Sequence, residues 1–299
     1  LSRVIRIIKP ANLEKTSDFS DRLIKLETFG FQVKHQRFPE DSNWPFTSGS
    51  IANRFLELNQ ALRTESKDIL FAARGGYGAS DLLGLLDWES LKSVPKKTIV
   101  GFSDISALLC AVHTKLGWNG IHGPMLGSNL WSWGKDVDLL MALLLGKTNS
   151  FSFPVVALNG DHSQAFEKTI SGNLFGGCFS VLTNLIGTPY MPPSLDGKIL
   201  FIEDIGENPG RLMRFWNQWE QSGLAKGLNG VILGNFSQLG SSLPDNSEVF
   251  FQEFSKRCQV PMWHSQFFGH SEINFPMPIG AKIVIQEQTA TWSLEGVDL

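Results

Sequence analysis

The sequence is poor in cysteine, in charge of either excess sign and in long apolar runs, and each shortage removes a class of protein. Its three cysteines, Cys110, Cys178 and Cys258, are odd in number, far apart and form no C-x-x-C pair. They predict buried small hydrophobes rather than a disulfide framework, which favours a reducing, cytoplasmic setting. Lys plus Arg number 26 against 29 Asp plus Glu, for a formal net charge of -3, and no basic run occurs. A nucleic-acid polymer is therefore not an expected partner; a small neutral or zwitterionic ligand fits better. No stretch approaches 18 consecutive apolar residues, so no membrane-spanning helix is expected. There is no H-E-x-x-H motif and no Cys/His ligand set, so neither a metal nor another cofactor is expected. Nucleotide fingerprints fail as well. Gly76-Tyr77-Gly78 is followed by Asp81 where G-x-G-x-x-G needs glycine, and Met141 stands where a phosphate loop ending at Gly146-Lys147-Thr148 would begin.

What is present is a globular pattern, 42% hydrophobic with 29 glycines among 299 residues. The N-terminus, Leu1 to Ile8, is basic and apolar, but Arg6 and Lys9 interrupt it too early for a signal peptide, and it reads as a first strand. Leu1 stands where an initiator Met is expected, which leaves a preceding segment open. Strand-like runs at 4–8, 32–38, 69–73, 98–102 and 119–125 alternate with helical spacing at 21–29, 50–59, 82–86, 105–115 and 136–145. In 50–59 the apolar face is Ile51, Phe55 and Leu58. Apolar strands separated by helices predict an α/β fold, with a mostly parallel N-terminal sheet covered by helices on both faces. The pattern loosens after Gly146, placing a domain boundary near residue 155. A smaller C-terminal mixed α/β domain, 156–299, follows, with strands at 169–174, 198–203, 230–234, 281–285 and 289–294. Its firmest helix is 211–221, where Leu212, Phe215, Trp216 and Trp219 keep helical spacing. A catalytic cleft is expected between the two domains.

The residues able to carry chemistry fall at strand ends. Ser103, in Gly101-Phe102-Ser103-Asp104, interrupts a buried strand just before a helix. That turn projects a hydroxyl from the carboxyl end of the sheet, beside the free N–H groups of a helix start. A helix cap explains the same serine. Arg74-Gly75-Gly76-Tyr77-Gly78 ends the neighbouring strand, and Gly76 can bring a backbone N–H close to a ligand. A hydroxyl nucleophile needs a base, and the base an orienting group. Of the six histidines, His270 in Gly269-His270-Ser271, on a loop before the last strands, and His122 are the candidates for the base. Glu203, ending an apolar strand, is the candidate carboxylate, with a salt bridge or helix cap as the plainer reading.

In order and spacing these motifs resemble the LD-carboxypeptidase family of serine peptidases, which includes the microcin C self-immunity proteins. The resemblance rests also on Gly123-Pro124, Gly172-Asn173-Leu174, Phe201-Ile202-Glu203-Asp204 and Pro278-Ile279-Gly280. It implies a triad of Ser103, Glu203 and His270, oxyanion donors at the backbone N–H groups of Gly76 and Asp104, and a homodimer. It implies hydrolysis of the amide next to a terminal D-amino acid in a murein tetrapeptide. A peptidyl-nucleotide amidase, for which Trp131, Trp133 and Trp263 are candidate base-stacking residues, and a non-catalytic peptide-binding module are the alternatives. One departure, Lys9-Pro10-Ala11-Asn12 where the family has a small Pro-Ser turn, bears on substrate preference.

Overall fold

The computed structural model describes residues 3–14, 16–36, 44–159, 169–240 and 247–297. The first sheet is built on β1 (Val4–Ile8), β2 (Gln32–His35), β3 (Ile69–Ala72), β4 (Thr98–Gly101) and β5 (Ile121–His122). These five strands are parallel, and β3, β4 and β5 are buried throughout, as their unbroken apolar runs require. The sixth strand is unexpected. β12 (Met277–Pro278), from the far end of the chain, pairs antiparallel with β5, giving the order β12-β5-β4-β3-β1-β2.

The second sheet has eight strands in the order β6-β14-β13-β8-β9-β10-β11-β7. Its centre is a parallel block of β8 (Ile170–Cys178), β9 (Lys198–Ile205), β10 (Gly230–Ser237) and β11 (Met262–Gly269). β13 (Lys282–Gln286), β14 (Thr289–Ser293) and β6 (Ser150–Pro154) add antiparallel on one side, and β7 (Val156–Ala157) on the other. β6, β7 and β11 escaped the sequence pattern. In β11, His264 and Gln266 interrupt the apolar residues, so neither a continuous run nor a clean alternation shows.

Helices α1 (Phe19–Thr28), α2 (Ile51–Leu62), α3 (Ala79–Leu83), α4 (Trp88–Leu91), α5 (Ser106–Leu116) and α6 (Lys135–Leu144) accompany the first sheet in sequence. α7 (Phe179–Thr183), α8 (Pro209–Gln221) and α9 (Ser247–Arg257) belong with the second. In α8, Leu212, Trp216 and Trp219 are buried as expected, and Asn208 caps the helix by accepting the Gly210 N–H at 2.8 Å. In α2 Leu58 is buried and Phe55 packs against the core as expected, but the face departs at its start. Ile51 is half exposed, and Arg54 and Glu57 turn inward instead. They do so because the loops above the helix supply carbonyls and an N–H that need partners. Arg54 donates to the carbonyls of Gly49, Pro10 and Gly78 and pairs with Asp81, while Glu57 accepts the Lys9 N–H.

The cysteines are free and buried, and burial pushes the thiols of Cys110 and Cys258 up to about 12. Among the described residues no helix is long and apolar enough to cross a membrane. The two sheets are tied together by β12 and by Ser106 at the head of α5, whose Oγ accepts the Cys178 N–H at 2.9 Å.

Candidate active site

The site begins at the end of β4. Phe102 is extended, and Ser103 then takes φ of +61°, a left-handed conformation that is costly for a residue with a Cβ. A three-residue 3-10 turn, Ser103–Ile105, leads into α5. Gly101 makes the turn possible, because a Cβ there would lie 2.8 Å from Ile105 Cγ2. The Ser103 side chain is partly exposed and makes no hydrogen bond among the described residues.

The glycine turn after β3 packs directly on this elbow. A Cβ on Gly75 would lie 2.8 Å from Ser103 Cβ and 3.0 Å from its Oγ. Gly76 has φ of +114° and sits against Asn12, so the Lys9–Asn12 turn forms the wall behind it. Asp104 binds the two turns together: its Oδ2 accepts the Ala79 N–H at 2.8 Å from a buried position. Burial raises the Asp104 carboxyl, opposed by that N–H. From the other side Arg54 holds the glycine turn through Gly78 O at 2.7 Å and the first turn through Pro10 O at 2.8 Å.

Glu203 and His270 meet across β9 and the end of β11. Glu203 is fully buried, and its Oε2 accepts both His270 Nδ1–H at 2.6 Å and the His270 backbone N–H at 3.2 Å. Gly269, at φ of +112°, permits this approach, since a Cβ there would lie 2.9 Å from Glu203 Cβ. Burial alone would raise the Glu203 carboxyl, but the charge and hydrogen bond of His270 reverse it and hold it below the usual range. Burial lowers His270, and the charge and hydrogen bond of Glu203 outweigh that and raise it. With Nδ1 donating to Glu203, Nε2 is the ring's free acceptor, and it makes no hydrogen bond among the described residues.

The elbow reaches the imidazole through Phe102, whose ring lies 4.8 Å from that of His270. The structure thus joins Glu203 to His270 directly and brings the residue before Ser103 against the same imidazole. No hydrogen bond joins Ser103 to His270 among the described residues. His270 sits on the bend before the last strands, as expected, although the Phe267–Gly269 run leading into it belongs to β11. The rival histidine, His122, is fully buried behind Glu203 and does not open to solvent.

Several supporting residues carried no sequence signal. Asn235 Nδ2 donates to Gln266 O, Phe268 O and Ser271 Oγ, holding the His270 loop. Asn274 accepts the Gly269 N–H and donates its own to Asp136 at the start of α6. A cavity of about 470 Å³ lies beside His270, walled by Asn235, Ser237, Gln238, His264 and Gln266. None of the three tryptophans suggested for base stacking lines it. Trp131 and Trp263 are in the core, and Trp133 is covered by Phe29 and by Lys25 Nζ, 4.1 Å from its ring. Among the described residues no group of three or more His, Cys, Asp or Glu could hold a metal ion.

The LD-carboxypeptidase N-terminal domain model matches residues 5–123, and the LD-carboxypeptidase C-terminal domain model matches residues 171–285. The chain belongs to the LD-carboxypeptidase family. Ser103 falls in the first matched segment, and Glu203 and His270 in the second. Among LD-carboxypeptidase relatives, the murein tetrapeptide carboxypeptidase of Pseudomonas aeruginosa is 29% identical over 96% of this chain and 94% of its own length. The microcin C7 self-immunity protein MccF of Escherichia coli is 23% identical over 92% of this chain and 87% of its own. The crystal structure of muramoyltetrapeptide carboxypeptidase from Oxalobacter formigenes shares the fold, with a TM-score of 0.81 over 97% of this chain and 98% of that one, at 24% identity.

Proposed function

We propose that this LD-carboxypeptidase family member is a serine peptidase that removes the C-terminal D-amino acid from a murein tetrapeptide through an acyl-enzyme. Residues 1–155 carry the nucleophile, Ser103, and residues 156–299 carry its base and orienting carboxylate. The observation that supports this most is the buried Glu203–His270 hydrogen bond of 2.6 Å, which leaves Nε2 as an acceptor beside the strained Ser103 elbow.

His270 Nε2 takes the Ser103 proton as Oγ attacks the scissile carbonyl. Glu203 stabilises the imidazolium, and the N–H groups of Gly76 and Asp104 receive the developing oxyanion. The imidazolium returns the proton to the leaving amine of the D-amino acid. A water, deprotonated by the same imidazole, then hydrolyses the ester and restores the Ser103 hydroxyl.

Murein peptide is favoured over a peptidyl-nucleotide on two grounds. The relative named for murein tetrapeptide is more similar than the self-immunity protein. The tryptophans that would stack a base are packed away from the cavity. A cytoplasmic homodimer belongs to the same reading. Incubation with an L,D-tetrapeptide and, separately, with an aminoacyl-sulfamoyl nucleotide tests it. Release of the terminal D-amino acid from the first is expected; turnover of the second alone would overturn the substrate assignment. A serine-directed acylating probe that labels wild type but not Ser103→Ala would separate an enzyme from a peptide-binding module.

A further inference from the structure

Glu203 stands between two imidazoles, and the proposed mechanism uses only one. Oε2 is fully engaged by His270, whereas Oε1 is buried with no hydrogen bond. Facing Oε1 at 3.8 Å is Nε2 of His122, and neither ring nitrogen of His122 has a hydrogen-bond partner. Two unsatisfied polar groups of complementary kind, both fully buried, are costly apart and compatible together. The gap exceeds hydrogen-bond range by less than 1 Å, roughly the span between 3.8 Å and the 2.7–3.2 Å of a formed N–H···O bond.

The surroundings of His122 fix its ring against the site. Its backbone lies in register with Gly101, two residues before Ser103, on one side and with Met277 of β12 on the other. Its ring is edged by Phe102 at 5.9 Å and Phe201 at 5.5 Å, so aromatic walls hold the plane that aims Nε2 at Glu203.

We infer that His122 is a positioning residue: as a neutral imidazole protonated on Nε2, it donates to Glu203 Oε1 and so turns Oε2 toward His270. The inference rests on the proposed Ser103–His270–Glu203 unit and extends it by one member. The charged groups around His122 fit a neutral donor. Glu203 faces it from β9, His270 lies beyond Glu203, and Asp204 adds negative charge near both; Phe102 and Met277 contribute none. Burial holds the His122 pKa down to about 4, against the pull of Glu203. It therefore stays uncharged while His270 cycles, and a second imidazolium does not compete for the carboxylate.

The direct test is nitrogen-15 NMR of histidine-labelled full-length protein, with His122 assigned through His122→Gln. A neutral Nε2–H tautomer from pH 5 to pH 8 is expected. An Nδ1–H tautomer, or an imidazolium, overturns the inference, and neither result depends on turnover or on which substrate is cleaved. Kinetics give the second measurement. His122→Phe keeps an aromatic ring but no donor, and we expect kcat to fall roughly 10- to 100-fold, as when an orienting partner is lost, with KM nearly unchanged. Its acid limb should move to higher pH, because an undiluted Glu203 charge stabilises the His270 imidazolium. His122→Gln, whose amide nitrogen reaches the same point, should restore most of both. A rate loss without displacement of the limb, or a folded Gln variant as impaired as Phe, makes His122 a packing residue and overturns the inference.

Discussion

Gly75 and Ser103 are in contact: the Cα hydrogen of Gly75 occupies the space where a side chain would meet Ser103 Cβ at 2.8 Å and Oγ at 3.0 Å. The glycine turn and the elbow are thus fitted to one another without slack. Gly75→Ala should push the hydroxyl off line, and a displacement of about 1 Å is expected to lower kcat about 100-fold. The check is kcat together with the thermal midpoint. Unchanged turnover in a folded variant would show that the hydroxyl is not held by this contact.

Removing the hydroxyl or the carboxylate should be more severe. Ser103→Ala is expected to lose about 10⁶-fold and Glu203→Gln about 10⁴-fold in kcat. Ser103→Ala should leave the thermal midpoint nearly unchanged, because the hydroxyl makes no hydrogen bond among the described residues. Full turnover by either variant removes that residue from the proposed unit.

The Glu203–His270 pair makes activity and stability depend on pH in opposite directions. Glu203 is lowered from 4.5, so its contribution to stability is present above pH 4.5 and lost as pH falls through its folded value. His270 is raised from 6.5, so its contribution is complete below pH 6.5 and lost as pH rises through its folded value. The stability difference between wild type and His270→Gln should therefore be greatest between pH 4.5 and 6.5 and shrink above it. The acid limb of kcat/KM should lie above 6.5, where His270 becomes free to accept a proton. Chemical denaturation and rate profiles over pH 4 to 9 measure both.

Glu57 offers a prediction independent of catalysis. Burial raises its carboxyl from 4.5 to about 7, and Oε1 has no partner. With the folded value raised, stability from this group is complete below pH 4.5 and lost as pH rises through about 7. Glu57→Gln should gain relative to wild type on going from pH 5 to pH 9, by at most about 3 kcal/mol. A pH-independent difference in unfolding free energy would contradict this.

The elements that carry the proposed chemistry were legible where burial is uniform. β3, β4 and β9 are continuous apolar runs, and Ser103 and Glu203 stood out because each breaks such a run. β11 was not legible, because its polar residues face a cavity and hide the period; the bend carrying His270 was read, but not the strand that delivers it. Arg54 and Glu57 were missed for the converse reason. A helix face normally buries apolar residues, but here it satisfies the backbone of two loops, and that demand is created only when the loops are assembled over it. His122 drew notice as a rival base. Its place behind Glu203 depends on β5 lying beside β4 and facing a strand of the other sheet, which no local pattern encodes.

The short strand Met277–Pro278 gives the molecule a direction in time. It closes the border of the first sheet by bonding to residues made roughly 150 positions earlier, a separation that makes closure slow. During translation, the serine turn exists long before its border strand, and an uncovered strand border invites pairing with a neighbouring chain. A chain cut before residue 277 would lack this strand and leave the β5 border of the first sheet unpaired.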